Sequence, residues 1–450
     1  MGWILYQIVL AAGLLLAAPW LLARRGRHYL ETVAGRLGRF PAATPEVRGG
    51  LWIHAVSVGE TAVAATLARR LPATLPLVVT TVTPTGQRRA RAAFGPRGTA
   101  ATVVTPVVTA VVYLPFDFAF ALGRFFRRFA PAALVLVEGD YWPLALRFAA
   151  RHGVKVAVVN GRVGRRSFAR LRRLGRWSPR LFFAAVARFG VQTDEDRQRL
   201  IDLGVDAERV TTTGNLKYDS PEPACLPELE DELRRLAAGR PILLAGSTMK
   251  GEEERVLAAF DRAGGGARAL LVVAPRHPER WEAVAKLLAD RGVRYLRRTE
   301  IPPDPSGEIP PHPPFSQGGT GTPDVVLLDS LGELAGLYRV AAIAFIGGTL
   351  VPTGGHNPLE PARFAVPIVA GPSMDNFREM AERFNDEDAW RQVDDAAGLA
   401  AVLDEWLADA DAAAAVGSRG AELVRANQGA LERTLAMLAP LLAAAQGRQA

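Results

Sequence analysis

The segment 345–372 of this 450-residue chain, FIGGTLVPTGGHNPLEPARFAVPIVAGP, contains residue types suited to binding a phosphate and a ribose. An apolar run at each end predicts two parallel strands, and a helix is predicted to begin near Asn357 and Pro358. The free N–H groups and positive dipole end of a helix stabilise an anionic phosphate. Glu360, one turn further on, could accept hydrogen bonds from both hydroxyls of a ribose. An ordinary strand-to-helix turn with a carboxylate at the helix start is the alternative.

Three ionisable residues in the first half of the chain also stand where chemistry is possible. Glu60 follows the apolar run LWIHAV where a helix is predicted to begin, and a carboxylate there can act as a general base toward a hydroxyl. Stabilisation of the helix dipole explains Glu60 equally well. Glu138 follows the run ALVLV and adds a second carboxylate. Lys217 follows RVTTTGNL, where a lysine can either stabilise charge on a phosphate leaving group or simply be solvated.

In the second half of the chain, further apolar runs end in polar or flexible residues. Gly246 and Ser247 end the run PILLAGS, and Arg276 follows ALLVVAP, where an arginine is a natural phosphate ligand. A surface ion pair is the alternative for Arg276, and capping of a helix is the alternative for Ser247. Gly347 and Gly348 follow AIAFI and would let the backbone approach a ligand closely.

These residues can act together only if the apolar runs form parallel sheets. From Leu51 onward, runs of strand length alternate with helical or turn patterns, which is typical of a doubly wound α/β domain. After the proline-rich connection 221–227 the alternation starts again and predicts a second α/β domain. Ligands of such sheets bind beyond the carboxyl ends of the strands, so two sheets facing each other would form a cleft with one substrate on each wall.

The composition excludes several classes of protein. The hydrophobic fraction of 49% indicates a globular chain, and 450 residues suit two domains. The single cysteine, Cys225, excludes an intramolecular disulfide framework and a cysteine-rich metal site. A net charge of +8 indicates a polyanionic partner, which could be nucleic acid, an anionic membrane surface or a phosphorylated substrate.

The first residues favour a membrane among these partners. The segment 3–22 contains no charged residue and is about long enough to span the hydrocarbon of a bilayer as a helix. Arg24, Arg25 and Arg27 follow it, so the positive-inside rule predicts that the helix is an anchor and that the rest of the chain is cytoplasmic. A helix that docks on the protein, or that lies at the membrane interface, is the alternative.

Two segments rich in arginine and aromatic residues, 123–129 and 162–183, predict contact with anionic lipid, with the aromatic rings in the lipid and the arginines at the phosphates. RNA binding and a solvated helix face are the alternatives for both segments. The segment 300–323 is rich in proline and glycine and predicts a surface loop without a chemical role. The alanine-rich segment 396–445 predicts packing helices with a turn near 417–420.

A set of motifs in a fixed order carries a resemblance to a known family. The motifs are HAVSVGE, TTVTPTG, VEGDYWP, GNLKYD, AGST, PRH, LGEL and GGHNPLEPA, and the match extends from the anchor to about Asn385. Together they resemble the 3-deoxy-D-manno-octulosonic acid (Kdo) transferases of lipopolysaccharide synthesis. The resemblance implies two Rossmann-like α/β domains in a glycosyltransferase B fold, and an inverting, metal-independent transfer without a cofactor. It also implies CMP-Kdo as donor and a lipid A precursor as acceptor at the cytoplasmic face of the inner membrane.

By the same resemblance, residues of this chain receive expected roles. Glu60 is expected to be the general base, and Glu138 and Lys217 are expected to stabilise the transition state. Two motifs depart from the family's usual wording, because Met249 stands where a histidine is common and VEGDYWP leaves Asp140 without a role. The expected contacts with CMP are Pro275, Arg276, Leu331, Gly332, Glu333, Asn357, Pro358, Leu359 and Glu360, with Gly246, Ser247, Gly347 and Gly348 in the same site.

These expectations divide the chain into five parts. They are a transmembrane or membrane-anchor helix (3–22), an acceptor domain (36–216), a linker (217–240), a CMP-Kdo domain (241–427) and a C-terminal helix (428–446) that packs back across the domains. We expect a monomer that binds an anionic membrane surface and no nucleic acid.

Two rival functions are open. Another glycosyltransferase B enzyme or a sugar-nucleotide 2-epimerase would share the nucleotide-binding elements of the second domain. A catalytically silent membrane scaffold is a rival of another class, and intact Glu60, Arg276 and Glu360 argue against it. The number of Kdo units transferred and the acyl-chain preference are not predicted.

Overall fold

The structure, a computed structural model, describes residues 2–26, 28–94, 109–175, 177–301 and 322–446. The chain divides into two compact units. The first consists of Met1–Pro221 and Asn427–Ala450, and the second of Glu222–Ala426. Most of the loop predicted at 300–323 lies outside the described residues.

Seven strands of the first unit form one sheet: β1 (Leu51–His54), β2 (Leu77–Thr81), β3 (Thr109–Tyr113), β4 (Ala133–Val137), β5 (Lys155–Gly161), β6 (Val186–Val191) and β7 (Val210–Thr212). Their order is β3-β2-β1-β4-β5-β6-β7, and all neighbours are parallel. The apolar side chains are buried on both faces of the sheet, as the continuous apolar runs predicted. The strand order reverses between β1 and β4.

The second unit contains another seven-stranded sheet: β8 (Ile242–Thr248), β9 (Leu270–Pro275), β10 (Tyr295–Arg297), β11 (Val325–Leu327), β12 (Ile343–Ile346), β13 (Ile368–Ala370) and β14 (Arg391–Gln392). Its order is β10-β11-β9-β8-β12-β13-β14, again with parallel neighbours, and it reverses between β8 and β12. The predicted fold class, two Rossmann-like α/β sheets, is confirmed. Strand β14 was not predicted, because its two residues are exposed and polar.

The α-helices follow in chain order: α1 (Gly2–Arg25), α2 (His28–Arg36), α3 (Val58–Ala68), α4 (Pro84–Phe94), α5 (Ala119–Phe129), α6 (Pro143–Arg151), α7 (Arg165–Arg173), α8 (Asp194–Asp202), α9 (Pro227–Ala237), α10 (Glu253–Arg262), α11 (Trp281–Asp290), α12 (Leu334–Leu337), α13 (Leu359–Ala362), α14 (Arg378–Asp386), α15 (Ala396–Ala408), α16 (Ala410–Ala426) and α17 (Ala430–Gln446). Helices α9 to α16 belong to the second unit. Helix α17 belongs to the first unit, where Leu438 and Leu441 are buried.

The segment 217–240, which we predicted as a linker, contains the boundary between the units and all of α9. The apolar face of α9, which includes Leu229, Leu233 and Leu236, is buried in the second unit. Within the segment 217–240, only residues before this helix therefore connect the units, and the chain returns to the first unit at Asn427.

Two predictions about local structure are wrong. The turn expected near 417–420 is absent, because α16 continues through it and packs Gly417 against the backbone of Ala365. A Cβ atom at Gly417 would lie 1.9 Å from the Ala365 oxygen, so this glycine permits close packing and does not form a turn. The phenylalanines of segment 123–129 do not contact lipid, since Phe125 and Phe129 are buried in the core beneath α5.

Candidate functional site

Both units have candidate residues at the carboxyl edge of the sheet, at the point where the strand order reverses. In the first unit, Glu60 follows β1 and Glu138 follows β4, and these two strands are neighbours. In the second unit, Ser247 is the last residue but one of β8 and Gly347 follows β12, and these strands are also neighbours. Open parallel sheets bind ligands in the crevice at this reversal. The strand order therefore brings together residues that are up to about a hundred positions apart.

The Glu60 carboxylate is hydrogen-bonded at the start of α3. Ser57 Oγ accepts from the Glu60 N–H at 3.3 Å and donates to Glu60 Oε1 at 3.0 Å. Glu60 Oε2 accepts from the Val56 N–H at 2.8 Å. Burial raises the pKa of Glu60; the Val56 hydrogen bond opposes this shift, and the negative charge of Glu138 adds to it. The Glu60 carboxylate thus helps to hold the start of the helix through Val56 and Ser57, and it is also a stronger base than an exposed glutamate.

Glu138 and Lys217 form an ion pair at the same edge. Lys217 Nζ lies 3.1 Å from Glu138 Oε1, and both side chains are between a quarter and a third exposed. Asn160 Nδ2 donates to the same Glu138 oxygen at 3.2 Å. Glu138 and Asn160 both have left-handed backbones, with φ of 62° and 54°. Strained backbone at non-glycine residues tends to cluster at functional sites.

Amide side chains hold the Lys217 segment in place. Asn160 Oδ1 accepts from the Leu216 N–H at 2.9 Å, and Asn215 Oδ1 accepts from the Lys217 N–H at 3.0 Å. Gln192 connects them, since it accepts from Asn215 Nδ2 at 3.0 Å and donates to the Asn160 carbonyl at 3.0 Å. The sequence analysis gave no role to Asn160 or Gln192. Their positions at the ends of the runs VAVVN and FGVQ were the available signal.

A buried histidine explains Asp140, to which the sequence gave no role. His54 Nε2 lies 3.1 Å from Asp140 Oδ2, which also accepts from Trp142 Nε1 at 2.8 Å. Thr80 Oγ1 accepts from Trp52 Nε1 at 2.8 Å and lies 2.9 Å from His54 Nδ1. Because an ionised carboxylate can only accept hydrogen bonds, His54 Nε2 carries a proton. Burial alone would raise the pKa of Asp140, but the hydrogen bond and charge of His54 outweigh it and lower the pKa.

The glycine-rich turn after β12 is held by a buried carboxylate. Glu252, which is fully buried, accepts hydrogen bonds from four backbone N–H groups: Met249 at 2.8 Å, Gly348 at 2.6 Å, Thr349 at 2.9 Å and Leu350 at 2.9 Å. Burial raises the pKa of this carboxyl group, and the four hydrogen bonds oppose that shift. These N–H groups are therefore committed to Glu252 and are not free to bind a phosphate.

The other glycines of this edge allow the strands and side chains to approach each other. A Cβ atom at Gly347 would lie 2.3 Å from the Ser247 carbonyl oxygen, so Gly347 permits contact between the ends of β8 and β12. A Cβ atom at Gly246 would lie 2.0 Å from the Tyr338 hydroxyl. Tyr338 is buried, and burial and the charge of Glu360 both raise its pKa. Gly246, Tyr338 and Glu360 consequently lie together.

The predicted helix after the turn is present but has only four residues, Leu359–Ala362. Asn357 Oδ1 accepts from the Leu359 N–H at 3.1 Å, and Asn357 Nδ2 lies 3.4 Å from Glu360 Oε1. Pro358 is buried between them and precedes the helix. So short a helix has a small dipole, and side chains must provide most of any phosphate site.

Arg276 provides a positive charge near this turn. Its side chain is exposed, and its N–H donates to the Thr248 carbonyl at 3.0 Å, which fixes the end of β9 beside β8. His356 lies close by: burial, together with the positive charges of Arg276 and His277, lowers the pKa of His356 to about 4. His356 Nε2 is buried and has no hydrogen-bond partner among the described residues. The sequence analysis included His356 only as part of the motif GGHNPLEPA and gave it no role.

The remaining predicted residues lie at the ends of β9 and β11. Pro275 is buried in β9. Leu331 is 70% exposed, and Gly332 has a φ of 90°. Glu333 Oε1 lies 3.1 Å from Arg298 Nη2, so this carboxylate is already paired. Among the residues that the structure describes, no group of three His, Cys, Asp or Glu side chains could hold a metal ion.

This chain is similar in sequence to known Kdo transferases and similar in fold to enzymes with other names. The family model of 3-deoxy-D-manno-octulosonic acid transferase matches residues 31–220. The transferase of that name from Haemophilus influenzae is 31% identical over 97% of this chain and 97% of its own length. A glycosyltransferase from Rickettsia africae has a TM-score of 0.53 and 13% identity over 87% of this chain and 98% of its own. A UDP-GlcNAc 2-epimerase from Neisseria meningitidis has a TM-score of 0.54 and 9% identity over 88% and 100%.

Proposed function

Because this chain belongs to the family of Kdo transferases and is a glycosyltransferase, we propose that it transfers Kdo from CMP-Kdo to the lipid A precursor lipid IVA. We propose that the reaction inverts the anomeric carbon, needs no metal and takes place at the cytoplasmic face of the inner membrane. The observation that carries the proposal is the cluster at the carboxyl edge of the first sheet. There, Glu60 has a raised pKa, and Glu138 is paired with Lys217.

In this proposal Glu60 is the general base. An acceptor hydroxyl loses its proton to the Glu60 carboxylate as its oxygen attacks the anomeric carbon of Kdo. The bond from that carbon to the phosphate oxygen breaks at the same time, and its electron pair leaves with CMP. Attack from the side opposite the leaving group gives inversion without a covalent intermediate. Glu138 and Lys217 stabilise the charge that develops in the transition state.

We propose that the carboxyl edge of the second sheet binds CMP. Arg276 supplies charge for the phosphate, and Glu360 supplies acceptors for the ribose hydroxyls. The same edge contains the other proposed contacts: Gly246, Ser247, Pro275, Leu331, Gly332, Glu333, Gly347, Gly348, Asn357, Pro358 and Leu359. The acceptor then belongs to the first unit, and the expected domains 36–216 and 241–427 take one substrate each.

The membrane location of the proposal depends on α1. Residues Gly2–Trp20 form a helix that is long and apolar enough to cross a membrane, although a signal sequence has the same properties. We propose that this helix anchors the protein. The structural similarity to a 2-epimerase concerns the fold alone, because one fold serves several chemistries.

A direct assay separates these functions. The purified full-length chain in detergent is incubated with CMP-Kdo and a tetraacylated lipid A precursor, and the products are measured by mass spectrometry. We expect Kdo-bearing lipid and an equal amount of released CMP. A parallel incubation with UDP-GlcNAc tests for epimerisation. Release of neither product, or epimerisation alone, would overturn the proposal.

The Glu60→Gln variant tests the base. A glutamine can keep the capping contacts with Ser57 and Val56, so we expect the melting temperature and CMP affinity to stay unchanged. Transfer should fall about 10²- to 10⁴-fold, since that is the usual contribution of a general base. Calorimetry with CMP and the lipid assay measure the two effects separately. A variant that transfers at more than about a tenth of the wild-type rate would show that Glu60 serves only as a cap.

A further inference from the structure

The first two turns of α1 make hydrogen bonds and a cation–π contact with the rest of the first unit. Tyr6 Oη donates to Asp117 Oδ2 at 2.7 Å. Gln7 Oε1 accepts from the Ala119 N–H at 2.8 Å and so satisfies the first free N–H of α5. The Arg147 guanidinium lies over the Trp3 ring, 4.9 Å from its centre. These contacts involve two separate segments of the unit, residues 117–119 and α6.

Asp117 shows that this contact is part of the tertiary structure. It is 1% exposed, and besides Tyr6 it accepts from the N–H groups of Leu144 at 2.9 Å and Ala145 at 2.7 Å, at the start of α6. Burial raises the pKa of Asp117, and these hydrogen bonds oppose the shift. Trp3 and Tyr6 also pack against the hydrophobic core of the unit. The start of α1 is thus attached where α5 and α6 begin, at the carboxyl edge of the sheet.

This attachment leaves too little helix to cross a bilayer. Residues 8–23, the apolar part of α1 beyond Gln7, measure about 24 Å at 1.5 Å per residue. The hydrocarbon core of a bilayer is about 30 Å thick. In a spanning helix, moreover, Trp3 and Tyr6 would lie on the far side of that core, out of reach of Asp117 and Arg147.

We propose that α1 is a monotopic anchor: it enters one leaflet of an anionic bilayer and keeps its N-terminus on the same side as the folded units. Apolar side chains remain exposed along the helix, and in the sequence Arg24, Arg25 and Arg27 follow them, which suits anionic headgroups. The exposed apolar residues are Ile4, Leu5, Ile8, Val9, Leu15, Leu16 and Trp20. The inference rests on the contacts of α1 and not on the proposed transferase activity.

One consequence concerns the lipid-facing side of the molecule. Because α1 is attached beside the starts of α5 and α6, the membrane surface lies near the carboxyl edge of the first sheet. Glu60 and Glu138 lie at that edge. A headgroup held in the same leaflet would therefore reach this edge without leaving the membrane.

Thiol labelling tests the topology. Cys225 is exposed and is the only cysteine, so the wild-type chain reports the side of the second unit. Cys225→Ser combined with Gly2→Cys reports the side of the N-terminus. Spheroplasts are treated with a membrane-impermeant maleimide before and after permeabilisation, with a periplasmic protein that has a free thiol as the positive control. We expect both positions to react only after permeabilisation. Labelling of residue 2 in intact spheroplasts would overturn the proposal.

A crosslink tests the attachment in the membrane itself. In the Cys225→Ser chain, Gln7→Cys is combined with Phe118→Cys, which precedes the Ala119 N–H that Gln7 contacts. A short bifunctional thiol reagent should link the two cysteines within one chain, as detected by mass spectrometry of the joined peptides. Leu16→Cys with Phe118→Cys is the matched control and should not link. Absence of the first link in membranes, or equal yields for the two pairs, would contradict the attachment.

Vesicle flotation tests which partner covers the exposed face. Leu15→Glu with Leu16→Glu should reduce binding to vesicles of phosphatidylglycerol and phosphatidylethanolamine by tenfold or more. Leu15→Met with Leu16→Met, which keeps the apolar surface, should bind as the wild type does. Unchanged flotation of the glutamate variant would overturn the proposal. The proposal would also be overturned if the wild-type chain were a dimer and the glutamate variant a monomer. The exposed face would then bind a second copy of the chain and not lipid.

Discussion

The carboxylates at the two places where strand order reverses differ in how deeply they are buried and in what they contact. At the edge of the first sheet, Glu60 and Glu138 are half-buried, and each retains exposed surface beside its hydrogen bonds. At the edge of the second sheet, Glu252 is fully buried, and all its contacts are with backbone N–H groups of the protein. Arg276, a cation at the same edge, remains exposed.

This difference shows that position in the fold does not decide what a carboxylate does. Both edges lie where open parallel sheets bind ligands. A carboxylate that keeps partial solvent exposure can exchange a proton with a ligand, whereas one with four protein donors serves to shape a turn. The first edge is therefore suited to proton transfer, and the second to holding an anion beside a positive charge.

The largest effect should come from removing Glu252. Glu252→Ala leaves several buried N–H groups without an acceptor, and each such loss costs about 1–3 kcal/mol. We expect the free energy of unfolding of the second unit to fall by about 4 kcal/mol, measured by urea denaturation. Glu254→Ala, an exposed neighbour, is the control and should change it by less than about 0.5 kcal/mol. If Glu252→Ala also changed the free energy of unfolding by less than about 0.5 kcal/mol, Glu252 would not be the structural carboxylate that distinguishes the second edge from the first.

Removing Lys217 should slow transfer without unfolding the chain. Lys217→Met takes away the positive charge paired with Glu138, and the loss of one stabilising group in a transition state costs about 10²-fold in kcat. Steady-state kinetics measure this change, with KM for CMP-Kdo as the second readout. Lys250→Met, at an exposed lysine of the second unit, should keep the wild-type kcat. An unchanged kcat in Lys217→Met would mean that this lysine pairs with Glu138 without stabilising the transition state.

The pH profile can sharpen the role of Glu138. Its negative charge helps to raise the pKa of Glu60, so Glu138→Gln should lower that pKa. A base works only when it is ionised, and activity is lost as the pH falls through its pKa. The acid limb of kcat/KM should therefore move to lower pH in Glu138→Gln, whatever the loss in absolute rate. If the acid limb does not move, the group whose ionisation limits kcat/KM at low pH is not Glu60.

The smallest effect is a shift in the pKa of His356, which is about 4 partly because Arg276 is positively charged. Arg276→Met removes that charge, so the pKa should rise toward its ordinary value, as followed by NMR of the imidazole carbon signal. Bound CMP should raise it in the wild-type chain as well, because a phosphate offsets the positive charge. A pKa that responds to neither change would show that Arg276 and His356 do not share an anion site.

The local patterns predicted the strands well because they depend on neighbouring residues. Runs such as PLVVTT and PILLAGS became β2 and β8, since continuous apolar runs suit a sheet covered on both faces. The phenylalanines of segment 123–129 were misplaced because periodicity shows which residues share a helix face but not what lies against that face. Gly417 was misread because a glycine that starts a turn and one that permits close packing look the same in sequence.

The sequence by itself determined the two α/β sheets, the family and the polar residues that follow each strand, because apolar runs and ordered motifs are local properties of the chain. Tertiary structure decided which of these residues meet. Glu252 reaches the turn after β12 across about a hundred residues, His54 holds Asp140, and Tyr6 is bonded to Asp117. Such contacts depend on strand order and helix packing, and only folding brings these groups within hydrogen-bonding distance.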